Sequence, residues 1–200
     1  MPSPKRLFDI AIALGGLAVF GLPLLALALW IRLDSPGPVF FRQERVGQHG
    51  RRFRIHKLRT MCVDAQARGP QLTVGDDPRI TRAGAFIRAH RLDELAQLVD
   101  VLAGDMSIVG PRPDVPRYVD RYPAPLRERV LAVRPGITGP ASLAFRDEAS
   151  RLARAADPER EYMDVILPAK LACAADYADH ASLWTDLRVI ASTLGVLFTR

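Results

Sequence analysis

Hydrophobic and polar residues are distributed very unevenly along this chain. From Ile10 to Ile31 the stretch IAIALGGLAVFGLPLLALALWI holds no charged residue. At about 1.5 Å per residue it is long enough for a helix to cross a bilayer core of roughly 30 Å. The pattern therefore predicts a lipid-seated helix or a cleaved leader. Lys5, Arg6 and the triplet Ala26-Leu27-Ala28 resemble parts of a signal peptide. The apolar run, however, exceeds the usual h-region of about 7 to 15 residues, and Trp30 with Arg32 reads as an interfacial anchor. Pro23 lies inside the run, with Gly15, Gly16 and Gly21 nearby, and favours a bend. Both flanks are basic: Lys5 and Arg6 before, Arg32, Arg42, Arg45, Arg51 and Arg52 after. A straight span places one basic flank outside the cell, whereas a helix broken at Pro23 returns both to the cytoplasmic face. A re-entrant membrane helix over residues 1–34 is the expectation, and a kinked spanning helix is the alternative.

Beyond Asp34-Ser35-Pro36-Gly37-Pro38, which stops that helix, the pattern is that of one cytoplasmic domain over residues 35–200. Val39-Phe40-Phe41 and Phe53 to Lys57 flank the turn residues Gly47 to Gly50 and predict a short β-hairpin. Residues 64 to 79 lack periodicity and read as a surface loop. Leu92, Leu95, Leu98, Val99 and Leu102 recur at helical spacing and Gly104 closes that helix. The stretches Ile108 to Pro113 and Arg134 to Pro140 read as fixed loops because of their prolines. Tyr118 to Val133 is weakly helical, and Pro168 should kink or restart a helix over Tyr162 to Asp179. Finally Leu183, Leu187, Ile190, Leu194 and Leu197, widened by Trp184, Ala191 and Phe198, form one apolar helix face. Core packing is the ordinary use of such a face, and seating in a lipid interface is the other. The fold class is α+β and mostly helical, with amphipathic interfacial helices.

Charge changes this picture more than overall composition does. Residues 1 to 60 carry a net +7 within a chain of net +6, which suits an anionic partner: lipid headgroups, a phosphorylated substrate or nucleic acid. Cys62 and Cys173 give neither a disulfide framework nor a zinc motif, and the four histidines lack HExxH spacing.

The chemistry-bearing residues cluster around Asp93-Glu94, at the start of the helix that runs to Leu102. Acids there are favoured by outward-pointing backbone N–H groups and are common as simple caps. Their company points further. Arg88 and Arg91 lie within a turn, Lys57 and Arg59 leave the hairpin, and Arg112 is held between Pro111 and Pro113. A guanidinium on a rigid loop loses little entropy when it grips phosphate. Paired carboxylates ringed by Arg and Lys suit diphosphate chemistry with Mg²⁺.

The segments Arg42 to Gly47, Phe53 to Met61, Leu92-Asp93-Glu94-Leu95, Gly104 to Pro113 and Arg134 to Gly139 together resemble the bacterial sugar transferase family, the monotopic polyprenol-phosphate phosphoglycosyl transferases. The likeness runs in order over nearly the whole chain, in the short form that begins at the membrane helix. It implies a re-entrant helix broken at a proline, here Pro23, and a Mg²⁺-dependent active site on the cytoplasmic face of the bacterial inner membrane. By the same likeness Asp93 is the nucleophile on a UDP-sugar, UMP leaves, and polyprenol (undecaprenyl) phosphate takes the phosphosugar. This is the first membrane step of glycoconjugate or exopolysaccharide synthesis. Glu94 shares catalysis or metal holding with Asp93, and Lys57, Arg59, Arg88 and Arg112 contact phosphates. A homodimer is compatible with it, and nucleic acid is not expected as a partner.

Three positions depart from the family pattern: Leu22 where serine often precedes the proline, the continuation Gly139-Pro140-Ala141-Ser142, and a further acid whose counterpart is Asp164 or Asp176. The rival reading is a membrane-tethered basic module that binds anionic lipid or nucleic acid through residues 42 to 59, without Mg²⁺.

Overall fold

A computed structural model describes residues 3–65 and 77–198, the last two as backbone alone. Most of the loop expected over residues 64 to 79 thus lies outside the described residues, as do the side chains of Leu197 and Phe198. The first helix, α1 (Pro4–Asp34), starts where Ser3 Oγ accepts from Arg6 N and Pro4 takes the first turn. It ends at Ser35, ahead of Pro36 and Pro38. At 31 residues it is about 46 Å long. The expected break is not there: the helix continues through Pro23 as one element. A proline removes one N–H donor and crowds one carbonyl, and apolar residues on both sides keep the remaining ladder intact.

Both ends of α1 bind the same folded unit. At the amino end Asp9, buried, accepts from Ser107 Oγ at 2.9 Å and from Ile108 N at 3.0 Å. Lys5 Nζ donates to the buried Asp186 at 2.5 Å and to Val109 O at 3.2 Å, while Arg6 donates to the carbonyls of Val101 and Leu102. At the carboxyl end Arg59 caps the carbonyls of Ile31, Ser35 and Pro36. Between these ends one side packs inward through Ala13, Leu24, Leu27 and Ile31. Residues 18 to 23 turn away from the domain, with Leu22 80% exposed and nothing within 4 Å of where a Cβ on Gly21 would lie.

β1 (Phe40–Val46) and β2 (Arg52–Leu58) form the expected antiparallel hairpin, with Phe41 opposite Lys57. Then come α2 (Arg82–Ala89), a 3-10 segment (Leu92–Gln97) and α3 (Leu98–Ala103), which Gly104 closes at φ +91°. The single helix expected from Leu92 is thus a tighter turn followed by a short α-helix. Gly84 lets α2 sit directly on Thr60: a Cβ there would fall 2.0 Å from the Thr60 carbonyl oxygen.

The stretches read as fixed loops contain a second sheet. β3 (Ser107–Val109) pairs in parallel with β4 (Gly136–Thr138). Around it lie α4 (Pro116–Val119), α5 (Ala124–Leu131), α6 (Pro140–Ala144), α7 (Glu148–Arg154) and α8 (Pro158–Glu161). A π-turn over Tyr162–Ile166 leads into α9 (Leu167–Asp179), so Pro168 restarts a helix as expected. In α10 (Leu183–Phe198) the apolar face turns outward, with Trp184 63% exposed and Leu187 and Leu194 also exposed. Core packing is therefore corrected for these residues, while Ile190 of the expected face does pack against the core beside Val189, and the polar Asp186, which Lys5 and Tyr177 bond, also faces inward.

Replacing Asp9 leaves Ser107 Oγ and Ile108 N buried without partners, a loss of roughly 1–3 kcal/mol per group. Asp9→Ala should destabilise the protein by about 2 kcal/mol or more, measured by thermal unfolding in detergent; an unchanged unfolding temperature contradicts this role.

Candidate active site

Lys57 sits next to the end of β2, and the 3-10 segment that carries Asp93 and Glu94 packs against that strand. Lys57 Nζ lies 2.7 Å from Asp93 Oδ2 and 3.6 Å from Glu94 Oε1. Arg112 grips Glu94 with two parallel bonds, Nη1 to Oε2 at 3.2 Å and Nη2 to Oε1, the fork geometry that suits a carboxylate. Arg88 Nε donates to Thr60 Oγ1 at 2.9 Å. Lys57, Arg88, Arg91, Asp93 and Glu94 line one open cleft of about 370 Å³.

Local structure fixes each of these groups. Arg91 adopts a left-handed conformation, φ 53° and ψ 30°, which ends α2 and turns the chain so that Arg88 and the two acids face the same cleft. His56, beside Lys57, donates its backbone N–H to Asp100 Oδ2 at 2.8 Å, and its Nδ1 lies 2.6 Å from Oδ1. Asp100 is buried on α3 and so ties the strand bearing Lys57 to the helix that continues from the acids. The Pro111-Arg112-Pro113 loop is clamped from three sides: Arg45 Nη1 to Pro113 O at 3.0 Å, Val46 N to Asp114 O at 3.0 Å, and Gly136 N to Pro111 O at 2.9 Å.

Lys57, Arg88, Arg112, Asp93 and Glu94 therefore come together as the sequence predicts. Arg59 does not. Its guanidinium is buried on the carbonyls that end α1, so it serves the helix and is removed from the phosphate-contact set. Asp164 and Asp176 are exposed, paired with Arg160 and His180, and neither lines the cleft. Pro23 lies in α1, exposed and away from the cleft lining.

Among the described residues no cluster of three His, Cys, Asp or Glu side chains is placed to hold a metal ion. Mg²⁺ that retains waters and binds through substrate phosphates asks for only one or two protein carboxylates. Adjacent Asp93 and Glu94 at an open cleft meet that requirement.

A family model described as bacterial sugar transferase matches residues 2–200. The chain belongs to this family. Among curated sugar-transferase relatives, the UDP-N-acetylgalactosamine-undecaprenyl-phosphate N-acetylgalactosaminephosphotransferase of Aeromonas hydrophila is 38% identical over 100% of this chain, which covers 46% of that protein. The UDP-glucose:undecaprenyl-phosphate glucose-1-phosphate transferase of Caulobacter vibrioides is 41% identical over 98% of this chain and 70% of its own length. The exopolysaccharide production protein PSS of Rhizobium leguminosarum bv. phaseoli is 37% identical, covering 98% of this chain and 96% of the relative. The chain thus spans about half the length of the Aeromonas relative.

Two cleft features of this sugar transferase were not among the candidate site residues in the sequence. Asp100 falls at helical spacing amid apolar residues and gives no signal of its bond to His56. Arg91, though flagged for its proximity to the acids, shows its cleft position only once its left-handed backbone is known.

Burial pushes the Glu94 carboxyl up, but the charges of Arg112 and Lys57 and their hydrogen bonds outweigh it and hold the group at about 2 against an ordinary 4.5. A carboxyl depressed in the folded state stabilises fully above its unfolded pKa and loses that contribution as pH falls through its folded one. Wild type should therefore exceed Glu94→Gln in stability by about 1–3 kcal/mol at neutral pH, and the gap should shrink from pH 4.5 down to about 2. Thermal unfolding of both proteins across that range checks it; a gap that does not narrow rejects the pairing.

Proposed function

We propose that this protein transfers a phosphosugar from a UDP-sugar to polyprenol (undecaprenyl) phosphate at the cytoplasmic face of the inner membrane. The single observation that carries the reading is Asp93, a carboxylate held 2.7 Å from Lys57 Nζ in a cation-lined cleft, on a domain whose first helix presents an apolar outer side. The Aeromonas and Caulobacter relatives, named as undecaprenyl-phosphate sugar phosphotransferases, support the substrate class.

In this mechanism an Asp93 oxygen attacks the β-phosphorus of the UDP-sugar. A P–O bond forms, and the bond from that phosphorus to the bridging oxygen breaks; the oxygen leaves with its electron pair as part of UMP. The sugar phosphate is left on the carboxylate as an acyl phosphate. An oxygen of polyprenol phosphate then attacks the same phosphorus, restoring the Asp93 carboxylate and forming the polyprenyl diphosphate-sugar. The two Asp93 steps split one difficult displacement into two easier ones. Lys57 steadies Asp93 at rest and offsets charge as the diphosphate approaches, and Arg88 and Arg112 neutralise phosphate oxygens. Asp93 and Glu94 would hold Mg²⁺, which supplies further charge neutralisation on the diphosphate.

The proposed topology is monotopic: α1, continuous through Pro23, keeps both ends on one face of the membrane and seats its apolar outer side in lipid. Both ends of α1 bond to one domain, and its middle, residues 18 to 23, leaves that domain with apolar side chains outward. Opposite ends of a spanning helix lie on opposite sides of a bilayer and cannot both make such bonds. The rival binding module finds little support in side-chain placement. Arg42 is bonded to His56, Arg45 to Pro113, Arg52 to Glu44 and Arg59 to α1, so much of the basic stretch is engaged internally.

Asp93→Asn keeps the shape of the side chain and removes the attacking charge. It should abolish UMP release from a UDP-sugar, a loss of at least about a thousandfold, while the protein still extracts with membranes. Release at near wild-type rate rejects Asp93 as nucleophile.

A further inference from the structure

The cleft's cations are not equivalent. Lys57 is held by Asp93 and Glu94, Arg112 by Glu94, and Arg88 donates to Thr60. Arg91 also lines the cleft and is exposed; its backbone N–H donates to Arg88 O at 3.1 Å, and its guanidinium makes no hydrogen bond or ion pair among the described residues. Its backbone sits in the left-handed region, where among the described residues His49 is the one other residue besides glycines. Glycine or asparagine occupies that region with less strain. No side-chain capping bond at Arg91 compensates for the conformation.

We propose that Arg91 is the phosphate-receiving arm of the cleft: a guanidinium with all five N–H donors free at rest, held two residues before Asp93 to take the first charged contact with an incoming substrate. The inference rests on the reading that phosphorylated substrates enter this cleft. The chemistry recognised is a phosphate oxygen, supplied by the nucleotide diphosphate donor or by the lipid phosphate acceptor. The cleft as a whole favours such a ligand, since its lining sets three cations against two carboxylates. A free arginine can bind two phosphate oxygens at once without first breaking an internal ion pair, which Lys57 and Arg112 must do. The left-handed turn aligns with this role. It holds Arg91 on the cleft wall between Arg88 and the acids, and a side chain unable to reach phosphate gains nothing from that strain.

The test uses the full chain in detergent with Arg91→Gly, Arg91→Ala and Arg91→Lys. Arg91→Gly removes the guanidinium while relaxing the backbone, so its unfolding temperature should equal or exceed that of wild type. Its KM for either the UDP-sugar or the polyprenol phosphate should rise about tenfold or more, with a much smaller change in kcat. A rise confined to the UDP-sugar assigns Arg91 to the donor, and a rise confined to the lipid phosphate assigns it to the acceptor. Arg91→Lys should recover part of the loss and Arg91→Ala none. Direct titration of wild type and Arg91→Gly with UDP and with farnesyl phosphate reads the same contact without turnover. It separates the two failures: no UMP release by wild type, with UDP or farnesyl phosphate binding still weakened by Arg91→Gly, overturns the proposed reaction and leaves Arg91's role standing. Both KM values and both titrations within about twofold of wild type overturn the inference. So does a loss of affinity that accompanies a fall in the unfolding temperature of Arg91→Gly.

Discussion

A helix fastened at both ends to one domain sets the terms for everything else in this molecule. At its start, the Lys5 ion pair with buried Asp186 and the two bonds accepted by Asp9 join α1 to α10 and β3. At its end, the Arg59 guanidinium donates to the carbonyls of Ile31 and Ser35, where the helix runs out of backbone N–H partners. Neither tie is on the surface: Asp9, Asp186 and Arg59 are all buried, so breaking one leaves charge or N–H groups uncompensated. The inner side of α1 also covers Ile87, Ala96 and Leu98, which belong to the elements that carry the cleft. An apolar outer side and a charged cleft are thereby built onto one scaffold, as the proposed transfer from a nucleotide sugar to a lipid phosphate requires.

Within the cleft, electrostatic preparation is the governing feature. Asp93 and Glu94 are each paired with a cation at rest, and those cations are themselves fixed from behind, Lys57 through the neighbouring His56–Asp100 link and Arg112 through the clamped proline loop. Preorganised charge needs little rearrangement as negative charge develops on phosphate. The resting ion pairs with Arg112 and Lys57 also favour the charged form of Glu94, whose carboxyl they hold at about 2.

Much of this was legible in the sequence because it depends on local pattern. The apolar run marked α1, the alternation around Gly47 to Gly50 marked the hairpin, and Asp93-Glu94 with the Pro-Arg-Pro loop marked the site. What escaped depends on distant partners. Each strand of β3 and β4 is three residues long and bordered by proline or glycine, too short for any periodicity. Lys57 lies in β2 and Arg59 just past its end, two residues on, and only the approach of α1 turns one into a cap and leaves the other in the cleft. Pro23 was read as a break because proline disfavours helix interiors, yet the strong apolar flanks carry the helix through it. In α10, Asp186 faces inward to meet Lys5 from the far end of the chain, and of the apolar face Ile190 packs inward while Trp184, Leu187 and Leu194 are left outside.

The most direct test of the scaffold is the sidedness of the two ends of α1. Single cysteines at Ser3 and at Pro38, both exposed, in a chain with Cys62→Ser and Cys173→Ser, can be labelled with a membrane-impermeant maleimide in sealed vesicles of both orientations. The two positions should react from the same side, in inverted vesicles only. Labelling of Ser3→Cys and Pro38→Cys from opposite sides contradicts a helix whose two ends share one domain.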